Sequence, residues 1–185
     1  MRMNRIKNPQ KQVFHGSMPQ HLADILVQKE LNNFSEFAEL AVSWNADFRQ
    51  LDRDKFPTSM LQAFAGDLLF SSARLGCHVE QRGMTPPGMR TFAMTMADSP
   101  DMHWFRHRVG ANCLLLFPRH NEISVFSRPG LSVQTVSIPE QVFVAFFEAN
   151  SLVKALNEHE MVFRSTASHA RALQQLLSSV PDIVR

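Results

Sequence analysis

The stretch that decides the fold reads Arg90-Thr91-Phe92-Ala93-Met94-Thr95-Met96. Phe92, Met94 and Met96 fall on one side of an extended chain, and Thr91 and Thr95 on the other. That period of two is the mark of a half-buried β-strand. The expected register buries the Phe92, Met94, Met96 face; burial of Thr91 and Thr95 in its place would put the register off by one residue. Punctuation bounds the strand on both sides. Pro86, Pro87 and Gly88 make a rigid corner before it, with a tight turn at Gly83, and Asp98-Ser99-Pro100-Asp101 turn the chain after it.

Outward from this strand the same grammar repeats. Met60 to Arg82 reads as two strands with bulges or bends at Gly66 and Gly76. His103 to Val109 reads as a further strand, and Gly110-Ala111-Asn112 leads to an apolar one from Cys113 to Phe117. Residues 118–121 turn the chain, Glu122 to Ser127 is extended, Arg128-Pro129-Gly130 turns it again, and Leu131 to Ile138 completes the series. Many short strands at regular spacing predict an antiparallel sandwich or barrel. Strands alternating with long helices, the mark of a parallel sheet, are missing from this region.

The flanks read as helical. A short helix is expected from Pro19, with Leu22, Ile25 and Leu26 on one side, behind an arm carrying Arg2, Arg5, Lys7 and Lys11. Asn33 and Glu36 have capping-box spacing, and Phe34, Phe37, Leu40, Ala41 and Trp44 form a stripe that predicts a helix over 35–45, with Asn45 and Asp47 at its exit. After Pro139, Phe143, Phe146 and Phe147 recur at helical spacing, although Val142 to Phe147 also suits a last strand. A final helix starts at Thr166, and its stripe of Ala170, Leu173, Leu177 and Val180 runs to Pro181. Such a stripe needs cover, either from its own sheet or from a second copy of the chain in a homodimer. The domain reading is a flexible arm and short helix over 1–33, a helix plus β-domain over 34–138, and C-terminal helices over 139–185.

Composition narrows the function classes. With 185 residues the chain supports one substantial core, and a net charge of +2 gives no electrostatic platform for nucleic acid. Cys77 and Cys113 lie in apolar-rich stretches and form no disulfide framework, which points to a cytoplasmic protein. No apolar run approaches membrane-spanning length. The eight histidines suggest metal, but on one continuous strand His103 and His107 would stand about 13 Å apart, too far to share an ion. His78 and Glu80 make an i, i+2 pair that surface polarity explains. Neighbouring residues of a strand face opposite ways, so Cys77 and His78 are no catalytic couple. Nucleophile elbows and Gly-rich phosphate loops are also missing, so no enzyme, no metal and no cofactor is expected. Trp104, Arg106 and Met94 are the candidate ligand-binding residues: an aromatic plane and a fixed cation suit an anionic or planar small molecule, beside an adaptable methionine.

The segments Phe34-Ser35-Glu36-Phe37, Trp44, Phe48-Arg49-Gln50-Leu51, Phe56, Gly83, Pro86-Pro87-Gly88, Phe92 and Ser127-Arg128-Pro129-Gly130 resemble the amino-terminal region of AraC-family transcriptional regulators, in the branch of the ethanolamine-operon regulator. The resemblance implies a cupin-like antiparallel β-barrel or sandwich with flanking N- and C-terminal helices, serving as an effector-binding or dimerisation domain. It implies a small-molecule effector and a homodimer as partners, with DNA contacted only through a C-terminal helix-turn-helix domain absent from residues 139–185. The competing readings are a small cupin-type enzyme or isomerase, and a structural dimerisation module.

Overall fold

The structure, a computed structural model, describes residues 25–31, 34–41, 44–52, 57–119, 122–150 and 161–183. The basic arm, the start of the Pro19 helix, the Asn33 cap and Phe56 lie outside the described residues.

Among the described residues, twelve strands and three helices follow in the order β1 (Ile25–Leu31), α1 (Phe34–Leu40), β2 (Asn45–Gln50), β3 (Thr58–Ala65), β4 (Leu68–Leu75), β5 (Val79–Met84), β6 (Met89–Thr95), β7 (Met102–Trp104), β8 (His107–Val109), β9 (Cys113–Leu116), β10 (Ile123–Ser127), β11 (Leu131–Pro139), α2 (Glu140–Ala149), β12 (Met161–Arg164) and α3 (Ala167–Ile183). They make a seven-stranded sheet, β1-β3-β4-β11-β6-β9-β12, and a five-stranded sheet, β2-β5-β10-β7-β8. Every strand pair is antiparallel.

The expected cupin-like β-barrel or sandwich requires correction, because neither sheet closes. β1 and β12 remain the edges of one sheet, and β2 and β8 those of the other. The protein is mostly β-sheet, with the two sheets open and facing one another across a shared core and small helices at the flanks. Buried side chains from both sheets, among them Phe48, Val79, Trp104 and Val125 on one side and Met60, Ala93, Leu115 and Leu131 on the other, form one apolar cluster. The far side of the seven-stranded sheet has its own cluster around Ala63 and Phe70, against which Leu177 and Val180 of α3 pack. Phe143 of α2 meets Phe92 on that same side, ring centroids 5.5 Å apart. The seven-stranded sheet is therefore covered on both faces.

This double cover amends the expectation for β6: the face of Phe92, Met94 and Met96 is covered as expected, with Met94 fully buried, but the threonine face is buried too. Thr91, Ala93 and Thr95 face the interior between the sheets, whereas Phe92, Met94 and Met96 face the helices. Thr91 and Thr95 are buried at about 1% exposure or less. They tolerate burial because their hydroxyls are satisfied: Thr91 Oγ1 lies 2.8 Å from Ser137 Oγ, and Thr95 Oγ1 donates to the Gly110 carbonyl at 2.8 Å and accepts from the Cys113 N–H at 2.9 Å.

The other corrections have similar causes. The segment read as helix around Ile25 and Leu26 is strand β1, paired along its length with β3. Helix α1 ends at Leu40 rather than near residue 45, so Asn45 and Asp47 sit in β2 instead of at a helix exit. Of the bulge or bend expected at Gly66, the structure has a bend, the hairpin turn between β3 and β4. Gly83 lies within β5 at φ +144°, where a Cβ would collide with the backbone of Asn45 and Ala46 on β2. His103 to Val109 is a hairpin, not a continuous strand: Trp104 faces His107 and His103 faces Arg108, around a two-residue turn with Phe105 at φ +52°. Strand β12 had no sequence counterpart. The segment after Pro139 is helical, and Pro139 is the residue at which strand β11 gives way to α2.

The α3 stripe is covered by its own sheet. Leu177 and Val180 join the outer cluster, Gln134 Nε2 donates to Ser178 Oγ at 3.0 Å, and Gln174 Nε2 donates to the Thr95 carbonyl at 3.3 Å. The stripe therefore packs, at least through Leu177 and Val180, on its own sheet.

Candidate functional site

Strand register builds a chamber between the sheets. On the five-stranded sheet, Phe48, Gln81, Val125 and Trp104 lie opposite one another across β2, β5, β10 and β7. On the seven-stranded sheet, one row runs Gln62, Ser71, Thr135, Ala93 and Leu115, and the next runs Met60, Ala73 and Val133. All of these except Gln62 line a cavity of about 80 Å³, to which α1 contributes Phe37 and the following segment adds Ala41 and Trp44. At roughly 10–15 Å³ per water, that is space for several waters or one compact molecule.

Aromatic packing gives the chamber its shape. Phe117 stands edge-on to Trp104, centroids 4.4 Å apart at 89°, and meets Trp44 at 5.3 Å. Phe37 and Phe48 meet at 5.3 Å and 90°. These contacts fix rigid rings around the space, and among the described residues no Asp, Glu, Lys, Arg or His lines it.

The lining carries two orphan polar groups. Trp104 is 1% exposed and Ser71 is 6% exposed, and neither Trp104 Nε1 nor Ser71 Oγ has a hydrogen-bond partner. Gln62, beside Ser71 in the same row, has an equally unpartnered Nε2. Buried polar groups are satisfied in the great majority of cases, and leaving one unmade costs on the order of 1–3 kcal/mol.

Of the three ligand-binding residues expected from the sequence, Trp104 lines the chamber. Arg106 is exposed in the β7–β8 turn and does not line it. Met94 is fully buried on the opposite face of β6, in the row of Gln134, beneath α3. Sequence reasoning missed Ser71, Gln62, Gln81 and Thr135. A polar residue in a strand carries no signal by itself; these four acquire meaning only once register lines them up.

Other chemistry-bearing residues are engaged structurally. His78 donates its backbone N–H to Asp52 Oδ2 at 2.9 Å, and its Nδ1 lies 2.6 Å from the same oxygen. Burial pushes the Asp52 carboxyl up, but the hydrogen bonds from His78 and Gln50 outweigh it and hold the group below its ordinary value. Burial, helped by the Asp52 charge, raises the Cys77 thiol to about 11, so it stays protonated and unreactive at neutral pH. Glu80 pairs with Arg82 at 2.6 Å and Arg49 at 3.6 Å. Among the described residues, no group of three or more His, Cys, Asp or Glu side chains is placed to hold a metal ion. No helix among them is long and apolar enough to cross a membrane.

No protein-family model matches the chain, and no curated protein matches it. Among solved structures it is similar to the AraC-like transcriptional activator CuxR, with a TM-score of 0.60 and 14% sequence identity over 87% of this chain. The match spans 66% of that chain's length, and at this identity it establishes a shared fold.

Proposed function

We propose that the chain is the ligand-sensing and dimerisation domain of an AraC-like transcriptional regulator and is not itself catalytic. The observation that carries the reading is the apolar chamber between the sheets, with the Trp104 indole N–H directed to no protein acceptor. A concave, mostly apolar space with a few convergent polar groups is the usual form of a small-molecule site. The fold shared with an AraC-like transcriptional activator supports a regulatory role for that site. In this reading the effector settles between the sheets, a second copy of the chain is the protein partner, and DNA is contacted by sequence outside the β-domain. The ethanolamine-operon-regulator branch and a cytoplasmic location belong to the same proposal.

A ligand here contacts both sheets, because the chamber takes walls from both. A fusion of this chain to a heterologous, dimerisation-dependent DNA-binding domain tests the reading. A small molecule that raises the melting temperature of the isolated chain should change reporter output from the fusion, and filling the chamber with Ala93→Phe should abolish both effects. Reporter output that ignores every stabilising compound refutes the sensory role.

A further inference from the structure

We infer that the chamber selects a compact, uncharged, largely apolar ligand that presents a hydrogen-bond acceptor to the Trp104 indole N–H. This inference rests on the ligand-sensing reading and adds the chemical class of the ligand.

The argument begins with what each orphan group can do. The Trp104 indole nitrogen is a donor only, and so is the Nε2 amide group of Gln62; the Ser71 hydroxyl donates or accepts. Trp104 belongs to the five-stranded sheet, whereas Ser71 and Gln62 are neighbours in the row on the seven-stranded sheet. The unmet demand thus sits on both walls. On the Trp104 wall it is a demand for an acceptor; on the other wall Ser71, which donates or accepts, lines the chamber and Gln62 does not. Thr135, directly opposite Ser71 on β11, adds a further hydroxyl to the lining.

Charge is excluded by the same inventory. Among the described residues no ionisable side chain lines the chamber, and an ion moved there would lose its hydration with no counter-charge from them in return. Arg106, the cation nearest in sequence to Trp104, is exposed in the hairpin turn. The aromatic rings of Phe37, Trp44, Phe48 and Phe117 supply apolar contact for the ligand body. The demands therefore converge on a neutral carbonyl, lactam or ether function carried on a small ring.

The test uses the purified chain and four probes of similar size: cyclohexanone, which has an acceptor; toluene, which has none; and the charged cyclohexylammonium and benzoate. Binding is read by thermal shift and by quenching of tryptophan fluorescence. Cyclohexanone should bind at least several-fold more tightly than toluene, and neither ion should bind measurably. Trp104→Phe should weaken cyclohexanone by roughly 2- to 12-fold, the worth of one neutral hydrogen bond, and leave toluene unchanged or tighter. Ser71→Ala, which removes an orphan hydroxyl, should melt no lower than wild type when unliganded and still bind toluene, which keeps the binding comparison clear of misfolding. Toluene binding as well as cyclohexanone, or either ion binding best, overturns the inference while the chamber stands as a ligand site. Failure of all four probes to bind wild type removes the ligand-sensing reading and this inference with it.

Discussion

Arg90 sits beneath the first turns of α2 with 1% of its surface exposed, and none of its three guanidinium nitrogens has a hydrogen-bond partner. Its one favourable contact of note is with the Phe143 ring, whose centroid lies 4.9 Å from Cζ. Desolvation lowers its pKa and Arg119 lowers it further, while Glu140 acts against both. Glu140 is itself engaged by Arg119 at 2.6 Å. Replacing Arg90 with Met keeps much of the apolar stem and removes a buried cation without orphaning the carboxylate. Exchanging buried ionic groups for hydrophobes of similar volume stabilises by about 1–4 kcal/mol, and the lost cation–π contact returns about 0.5–2 kcal/mol. The net expectation for Arg90→Met is stabilisation by roughly 1–2 kcal/mol. At about 2–4 °C per kcal/mol for a chain of this size, the melting temperature should rise by about 2–8 °C. Urea unfolding followed by circular dichroism should show a higher midpoint at unchanged slope. Arg90→Lys, which keeps the charge and loses the planar stack on Phe143, should not stabilise. A loss of more than about 1 kcal/mol in Arg90→Met would refute the reasoning, because it would mean that Glu140 compensates the buried guanidinium after all.

Two other outcomes follow from the geometry. Gly83→Ala should destabilise by about 1–3 kcal/mol, since φ +144° and the backbone of Asn45 and Ala46 leave no place for a Cβ; a variant with the wild-type urea midpoint would contradict the β2–β5 contact. Asp52→Asn tests the tether between the end of β2 and the start of β5. The folded carboxyl lies below its ordinary 3.8, so its contribution is complete above 3.8 and is lost as the pH falls through the lower folded value. The wild-type advantage over Asp52→Asn should therefore be constant near neutrality and close on acidification below 3.8. A gap that stays the same at low pH would rule out this carboxylate as its source.

The sequence by itself determined the local grammar of the protein. Pro86-Pro87-Gly88 and Arg128-Pro129-Gly130 turn the chain where their restricted and permissive backbones require, and β9, β10, β11 and α2 lie where their apolar periods and Pro139 put them. These features depend on neighbouring residues alone. Tertiary structure decided everything that depends on distant pairing. The β7–β8 hairpin escaped notice because its turn holds Phe105 in a left-handed conformation with no Gly or Asn to announce it, and the conformation is retained by packing against Trp104 and a 2.8 Å hydrogen bond to the Ser124 carbonyl. The inward face of β6 was misread because alternation marks the apolar face, and here helices cover that face while satisfied threonines line the interior. β1 and β12 are strands because β3 and β9 offer them edges. The candidate site follows the same rule. Trp104 was legible as an unusual residue in its segment, but the row of Gln62, Ser71 and Thr135 exists only in the register of three strands, and a row of hydrogen-bonding groups distant in sequence leaves no periodicity for any local reading to detect.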